Sequence, residues 1–263
     1  MPRGSTPARP NSAQVEPDEW EQFFQLFGHA RIRRAVRILS RLPSAPRCEA
    51  CGNPFGGVGG WAMRRIGKAP SRKNPRWCNI CFEKAPSGGK TLTIGVLFAD
   101  VRGSTAFAEQ RSAEAVAAVM NRFYARLTQI IVRHGIVDKL IGDEVMGLYF
   151  PPLADGGRYV DQMVADSRDI IRTLREDDEL TELGIGIGLA VGPAFVGIVG
   201  EGAVRDFTAI GDVVNTASRL QAAAGPGQIV MSREVSRLAA VTDGQDVELP
   251  LKGKGNSHAC ASR

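Results

Sequence analysis

The sequence predicts an α/β protein, one sheet covered by helices, with a small N-terminal helix and a cysteine-rich segment ahead of it. Three observations predict this class. From residue 91 onward, short β-branched apolar runs alternate with longer segments whose apolar residues recur every three or four positions, the pattern of strands covered by amphipathic helices. The charge balance changes near residue 90. Residues 1–90 carry 16 Lys/Arg against 6 Asp/Glu, a net of +10, whereas residues 91–263 carry 17 against 22, a net of −5. Ten of the fifteen prolines also precede residue 91, which puts a domain boundary at Pro86-Ser87-Gly88-Gly89.

At 263 residues and 43% apolar content the chain can bury an ordinary core, which excludes a wholly disordered or collagen-like protein. No run approaches the ~18 uninterrupted apolar residues of a membrane helix. The longest, Leu92 to Ala99, is strand-sized. The first twenty residues lack the apolar region of a secretory signal, so the expected location is cytoplasmic.

Taken in order, residues 1–17 are polar and proline-rich and read as a disordered tail. Residues 18–43 read as an amphipathic helix, capped by Asp18 and stopped by Pro43, with Trp20, Phe24 and Phe27 on one face and Arg33, Arg37 and Arg41 on the other. Such a helix is expected to pack on the neighbouring domain; weak membrane contact through its basic face is the alternative. Residues 44–86 form a cysteine-rich, zinc-ribbon-like module, 87–90 a linker, 91–255 the main domain and 256–263 a tail. Within the main domain, Thr91–Val101 reads as a buried strand and Ala113–His134 as a helix. Ile136–Phe150 reads as a hairpin turning at Gly142, Arg158–Arg175 as a helix, and Gly184–Val199 as two glycine-rich strands. Then come strand Phe207–Ile210, helix Asp212–Ala223, strand Ile229–Met231 and a short helix Arg233–Ala239.

The basic half holds two CxxC pairs, Cys48/Cys51 and Cys78/Cys81, separated by 26 residues. Each pair can chelate from a tight turn, and two pairs complete a four-thiolate tetrahedral shell, the usual structural zinc site. The segment between them is too polar to fold on a core of its own, and a metal supplies that folding energy. Iron suits the same ligands and is the alternative. Disulfides are disfavoured in a reducing cytosol. The aromatics Phe55, Trp61, Trp77 and Phe82 are too few for a base-stacking platform, so nucleic acid is not an expected partner. Cys260 stands apart as a bystander.

Three segments of the acidic half carry chemistry. Phe98-Ala-Asp100-Val101-Arg-Gly103-Ser104-Thr105 puts an Asp at the end of a buried strand, before a turn and a helix start. The carboxylate can hold a hard cation and the free N–H groups can hold phosphates. Asp138-Lys139-Leu-Ile-Gly142-Asp143-Glu144 places a second Asp at a hairpin tip. Two carboxylates on adjacent strands are the minimal cradle for one or two Mg²⁺ ions on a nucleotide. In Thr208-Ala-Ile-Gly211-Asp-Val-Val-Asn215-Thr-Ala-Ser-Arg219, Asn215 and Arg219 lie four apart and share a helix face. An amide beside a guanidinium suits a ribose next to a phosphate.

In this order and at these spacings the segments resemble the class III nucleotidyl cyclases, the adenylate and guanylate cyclases, from about Leu92 to Lys252. The resemblance implies a ferredoxin-like βαββαβ sheet flanked by helices, and a site formed only between two catalytic domains. It implies that Asp100 and Asp143, with Val101, bind two Mg²⁺ or Mn²⁺ ions, and that Gly103, Ser104 and Thr105 face the phosphates. Lys139 and Thr208 then read adenine, Asn215 orients the ribose and Arg219 stabilises the transition state. All these positions are filled in one chain, which implies a homodimer with two equivalent sites. The expected activity is conversion of ATP to cyclic AMP and pyrophosphate. Guanylate cyclases of this family usually carry Glu in place of the Lys, so Lys139 argues for ATP. The alternatives are a cyclase of GTP or of a pyrimidine triphosphate, or a catalytically silent nucleotide-binding regulator. The N-terminal module is where a regulatory partner would act.

Overall fold

The computed structural model describes residues 46, 48, 53–72, 75–80, 88–151, 158–201, 204–241, 244–251 and 255–262. The expected tail at 1–17, the helix at 18–43, Cys51 and Cys81 lie outside the described residues.

After a short helix α1 (Gly57–Arg65), strand β1 (Gly88–Arg102) leads into α2 (Ser104–Glu109) and α3 (Ala113–Ile131). The hairpin β2 (Ile136–Ile141) and β3 (Glu144–Tyr149) follows, then α4 (Tyr159–Glu176) and β4 (Gly184–Glu201). The chain continues through β5 (Val204–Ile210), α5 (Asp212–Ala223), β6 (Gln228–Ser232), α6 (Arg233–Leu238), β7 (Gln245–Leu251) and β8 (Gly255–Ser262). The sheet order is β2-β3-β1-β4-β6-β8-β7, with β5 paired to the far end of β4. Strands β4 and β6 run parallel; the other pairs are antiparallel. The first part, β1-α-β2-β3-α4-β4 with β1 between β3 and β4, is the ferredoxin-like arrangement.

Strand alternation sorts the core onto two faces. Ile94, Val96 and Phe98 of β1 point to one apolar cluster, and Leu97, Ala99 and Val101 to the other. Helices α3 and α4 cover the second face with Phe123, Leu127, Ile131, Met163 and Ile170, all fully buried. Each such side chain contributes roughly 1.5–3 kcal/mol of transfer free energy. Helix α5 and β5 cover the first face. There Phe55, Trp77, Cys48 and Cys78 of the cysteine-rich segment join the same core. Arg76 of that segment donates to the carbonyls of Val132 and Arg133 at the end of α3, where a cation meets the negative end of the helix dipole.

Several expectations are corrected. Gly184–Val199 is not two strands: β4 is a single strand of 18 residues. The residues read as a linker, 87–90, are already sheet from Gly88, which pairs with Ile198. The expected tail, 256–263, contains β8, which lies between β6 and β7. Helix α5 occupies the expected bounds, and the hairpin turns at Gly142 with φ 62°.

Candidate active site

The acidic end of the site is assembled by three elements. Asp100 lies near the end of β1, on the same face as Phe98 and therefore beneath α5. The Gln221 Nε2 amide of α5 donates to Asp100 Oδ2 at 3.0 Å, and the Arg102 guanidinium stands 3.0 Å from the same oxygen. Arg102 also donates to the Gln221 carbonyl at 3.2 Å. Helix α5 comes this close because β4 is glycine beneath it. A Cβ at Gly188 would overlap the Ala217 carbonyl and the Gln221 amide.

The β1–β3 register sets Glu144 opposite Asp100, and the turn at Gly142 brings Asp143 alongside. The Tyr124 hydroxyl of α3 donates to the Gly142 carbonyl and pins that turn. Burial, and then the neighbouring Asp143 carboxylate, pushes the Asp100 carboxyl above its ordinary value, with Arg102 pulling the other way. Burial and then Asp100 and Asp143 push Glu144 up as well. Hard oxygen donors crowded in this way suit a divalent cation such as Mg²⁺ or Mn²⁺, whose charge would relieve the repulsion. A cleft of about 670 Å³ opens beside them, lined by Val101, Ser104, Thr105, Met120, Gly142 and Asp143. Gly103 starts the α2 turn at φ 74°. Among the described residues no group of three or more His, Cys, Asp or Glu side chains forms a ready-made metal cage.

The second set of predicted residues lies elsewhere. In β2, whose register with β3 shifts between Val137 and Lys139, Asp138 is buried and Lys139 is exposed. Thr208 of β5 is buried and donates its hydroxyl to Asp138 Oδ2 at 2.7 Å. Lys139, Asp138 and Asp206 line a groove of about 1050 Å³ whose other walls are Tyr124 and Thr128 of α3 and Arg72 of the cysteine-rich segment. Helix α5 buries Val213, Ala217, Leu220 and Gln221. With 3.6 residues per turn, Asn215 and Arg219 fall on the opposite side. Asn215 is exposed and Arg219 half-buried.

One protomer thus brings Asp100, Asp143 and the Ser104–Thr105 helix start together, and brings Lys139 close to Thr208 through Asp138. It does not turn Asn215 and Arg219 toward the acids, since the face of α5 that reaches Asp100 is the Gln221 face. Sequence reasoning missed Gln221, Arg102 and Asp138 as site residues. Arg102 and Asp138 are next to residues it singled out, and the alternation of faces was the available signal. Of the four predicted thiolates, Cys48 and Cys78 are described; both are buried, and the Cys78 amide donates to the Cys48 sulfur at 3.1 Å.

Two acids at a strand end and a turn on a ferredoxin-like sheet, beside a helix start, can hold a hard cation and a phosphate. Residues 89–260 match the family model for the adenylate and guanylate cyclase catalytic domain, and the chain belongs to that family. It carries a nucleotide cyclase catalytic domain. The solved structure of the guanylyl cyclase Cya2 is similar at 26% identity, covering 66% of this chain and 93% of that one, with a TM-score of 0.62. The adenylyl cyclase CyaB from P. aeruginosa is similar at 26% identity over 66% of this chain and 96% of that one, with a TM-score of 0.60. The uncharacterized protein Rv1319c of Mycobacterium tuberculosis strain H37Rv is 30% identical over 164 residues, 61% of this chain. The chain spans about 30% of the length of that relative. Among the described residues no helix is long and apolar enough to cross a membrane.

Proposed function

We propose that this chain converts ATP to 3′,5′-cyclic AMP and pyrophosphate at two equivalent sites, each shared between two copies of the chain. One observation carries the reading: a complete set of site residues stands in one chain, but Asn215 and Arg219 face away from Asp100 and Asp143. A second copy, related by a twofold axis, would supply the missing half to each site. The exposed Leu140, Ile141 and Ile210, at 49%, 51% and 55% exposure, flank Lys139 and Thr208 and would be covered by that association.

Asp100 and Asp143, with Val101, would hold Mg²⁺ or Mn²⁺, two ions per site. When bound, these supply the charge that lowers the pKa of the ribose 3′-hydroxyl and neutralises the triphosphate. The N–H groups of Gly103, Ser104 and Thr105 orient the phosphates. From the other copy, Asn215 holds the ribose so that its 3′-oxygen lies in line with the α-phosphorus. Arg219 meets the charge that develops on the phosphoryl oxygens, a role whose loss typically costs ~10²-fold or more. Lys139 and Thr208 read the base. Similarity to a guanylyl cyclase at the same identity makes GTP the alternative substrate; Lys139 favours ATP. Incubation of the purified protein with each of the four ribonucleoside triphosphates and Mn²⁺ or Mg²⁺, followed by mass identification of products, tests this. Cyclic AMP as the main product is expected. No cyclic product from any of the four would overturn the reading.

We also propose that Cys48, Cys51, Cys78 and Cys81 hold one structural metal, zinc rather than iron. The amide-to-sulfur bond between Cys78 and Cys48, one residue from each CxxC pair, supports this. Elemental analysis should then find about one such ion per chain, the stoichiometry of a closed four-thiolate site. Metal-free protein with an intact, protease-resistant N-terminal segment would contradict it.

A further inference from the structure

The bond between Thr208 and Asp138 joins residues 70 positions apart, and both side chains are buried. A hydroxyl has one proton to give and two lone pairs; an ionised carboxylate only accepts. Once the Thr208 proton is committed to Asp138, the Thr208 oxygen can only accept from any other group that reaches it. Asp138 is buried while its neighbour Lys139, a donor without lone pairs, is exposed, and both line the groove.

We infer that Asp138 is a positioning residue that sets base specificity by fixing the polarity of the Thr208 hydroxyl. This rests on the cyclase reading above. The oriented oxygen accepts, and Lys139 donates. The pair therefore fits a base that presents an exocyclic amino group beside a ring-nitrogen acceptor. Adenine carries that pattern at N6 and N1. Guanine presents a carbonyl oxygen and a ring N–H at the same positions, so its O6 meets the Thr208 lone pairs and its N1–H meets the Lys139 ammonium. Cytosine carries the amino and ring-acceptor pattern and uracil does not, so the same rule ranks CTP above UTP among pyrimidine nucleotides.

The test is the ratio of kcat/KM for ATP to that for GTP in five proteins: wild type, Asp138→Asn, Asp138→Leu, Thr208→Val and the Asp138→Asn/Thr208→Val double variant. An asparagine at 138 that turns its amide toward Thr208 accepts no proton from it, which frees the hydroxyl to donate outward; Asp138→Leu, with no acceptor at all, enforces the same release. The ratio should fall at least about tenfold in Asp138→Asn, the size expected of one buried hydrogen bond reversed. It should fall similarly in the near-isosteric Thr208→Val. The double variant should match Thr208→Val alone, because Asp138 acts through that hydroxyl. A merely structural role for Asp138 would lower both substrates together and would persist in the Thr208→Val background. Wild type that prefers GTP, or an unchanged ratio in either folded variant, would overturn the inference while leaving the cyclase reading intact. Absence of any cyclic product from wild type would instead be the failure of that reading. If Asp138→Asn binds but does not turn over, displacement of a fluorescent ATP analogue by ATP and by GTP gives the same ratio. If it does not fold, Asp138→Leu, read by the same ratio, decides.

Discussion

The two halves of the site differ in what completes them. The acidic half is finished by folding: Asp100, Asp143 and Glu144 converge within one chain, with Gln221, Arg102 and Tyr124 holding them. In the half proposed to take base and ribose, Thr208 is bonded to Asp138, next to Lys139, but Asn215 and Arg219 lie on the helix face opposite its buried one. On the proposed reading, folding places charge that repels itself, and association would bring the Arg219 guanidinium to the substrate. A monomer would then hold a triphosphate poorly and turn over none.

The largest effect that breaks this comparison is loss of an acid. Asp100→Ala and Asp143→Ala should each reduce turnover by about 10³-fold or more, as loss of a metal-activating group does, with the fold retained by circular dichroism. Full activity of either variant in saturating Mn²⁺ would contradict the metal assignment.

A smaller effect sharpens the link between the halves. Gly188→Ala places a methyl against the α5 backbone. It should cost about 1–3 kcal/mol, as overpacking does, read as a lowered midpoint of thermal unfolding, and activity should fall further than stability because Gln221 leaves Asp100.

The smallest effect separates acids that serve the site from acids that serve the fold. Burial and Asp143 raise the Asp100 carboxyl, so its ionised form is disfavoured in the folded state. Its contribution to stability is present at low pH and is lost as pH rises above the ordinary 3.8 through the raised value. Asp177 has the opposite sign. Arg122 and Arg126 contact it at 2.8 and 2.9 Å and hold its carboxyl low. Its contribution is present above 3.8 and is lost as pH falls through the lowered value. At pH 7 Asp100→Asn should therefore raise the unfolding midpoint by about 2 °C and Asp177→Asn should lower it, a small shift on the scale for a domain of this size. Equal shifts of the same sign would contradict the distinction.

The sequence made the paired acids, the hairpin and α5 legible because each follows from a local pattern: an apolar run ending in Asp, a Gly turn, and 3.6-residue spacing. What it hid was tertiary. β4 looked like two strands because glycines read as breaks, yet Gly188 is there to admit α5. β8, Gly-Asn-Ser-His-Ala-Cys-Ala-Ser, has little β propensity of its own; it is a strand because β6 and β7 offer edges on both sides. Asp138 looked like one more polar residue beside Lys139; its bond to Thr208 spans 70 positions, which no local pattern shows.

The most direct measurement of the shared site is complementation. Asp100→Ala and Arg219→Ala each damage a different half, and in a heterodimer of the two chains one site carries both lesions and the other none. Random pairing gives about half heterodimers, each with one intact site, so roughly a quarter of wild-type activity should return on co-expression, by the symmetry of an isologous pair. Persistent inactivity in demonstrated heterodimers would contradict a site divided between two chains.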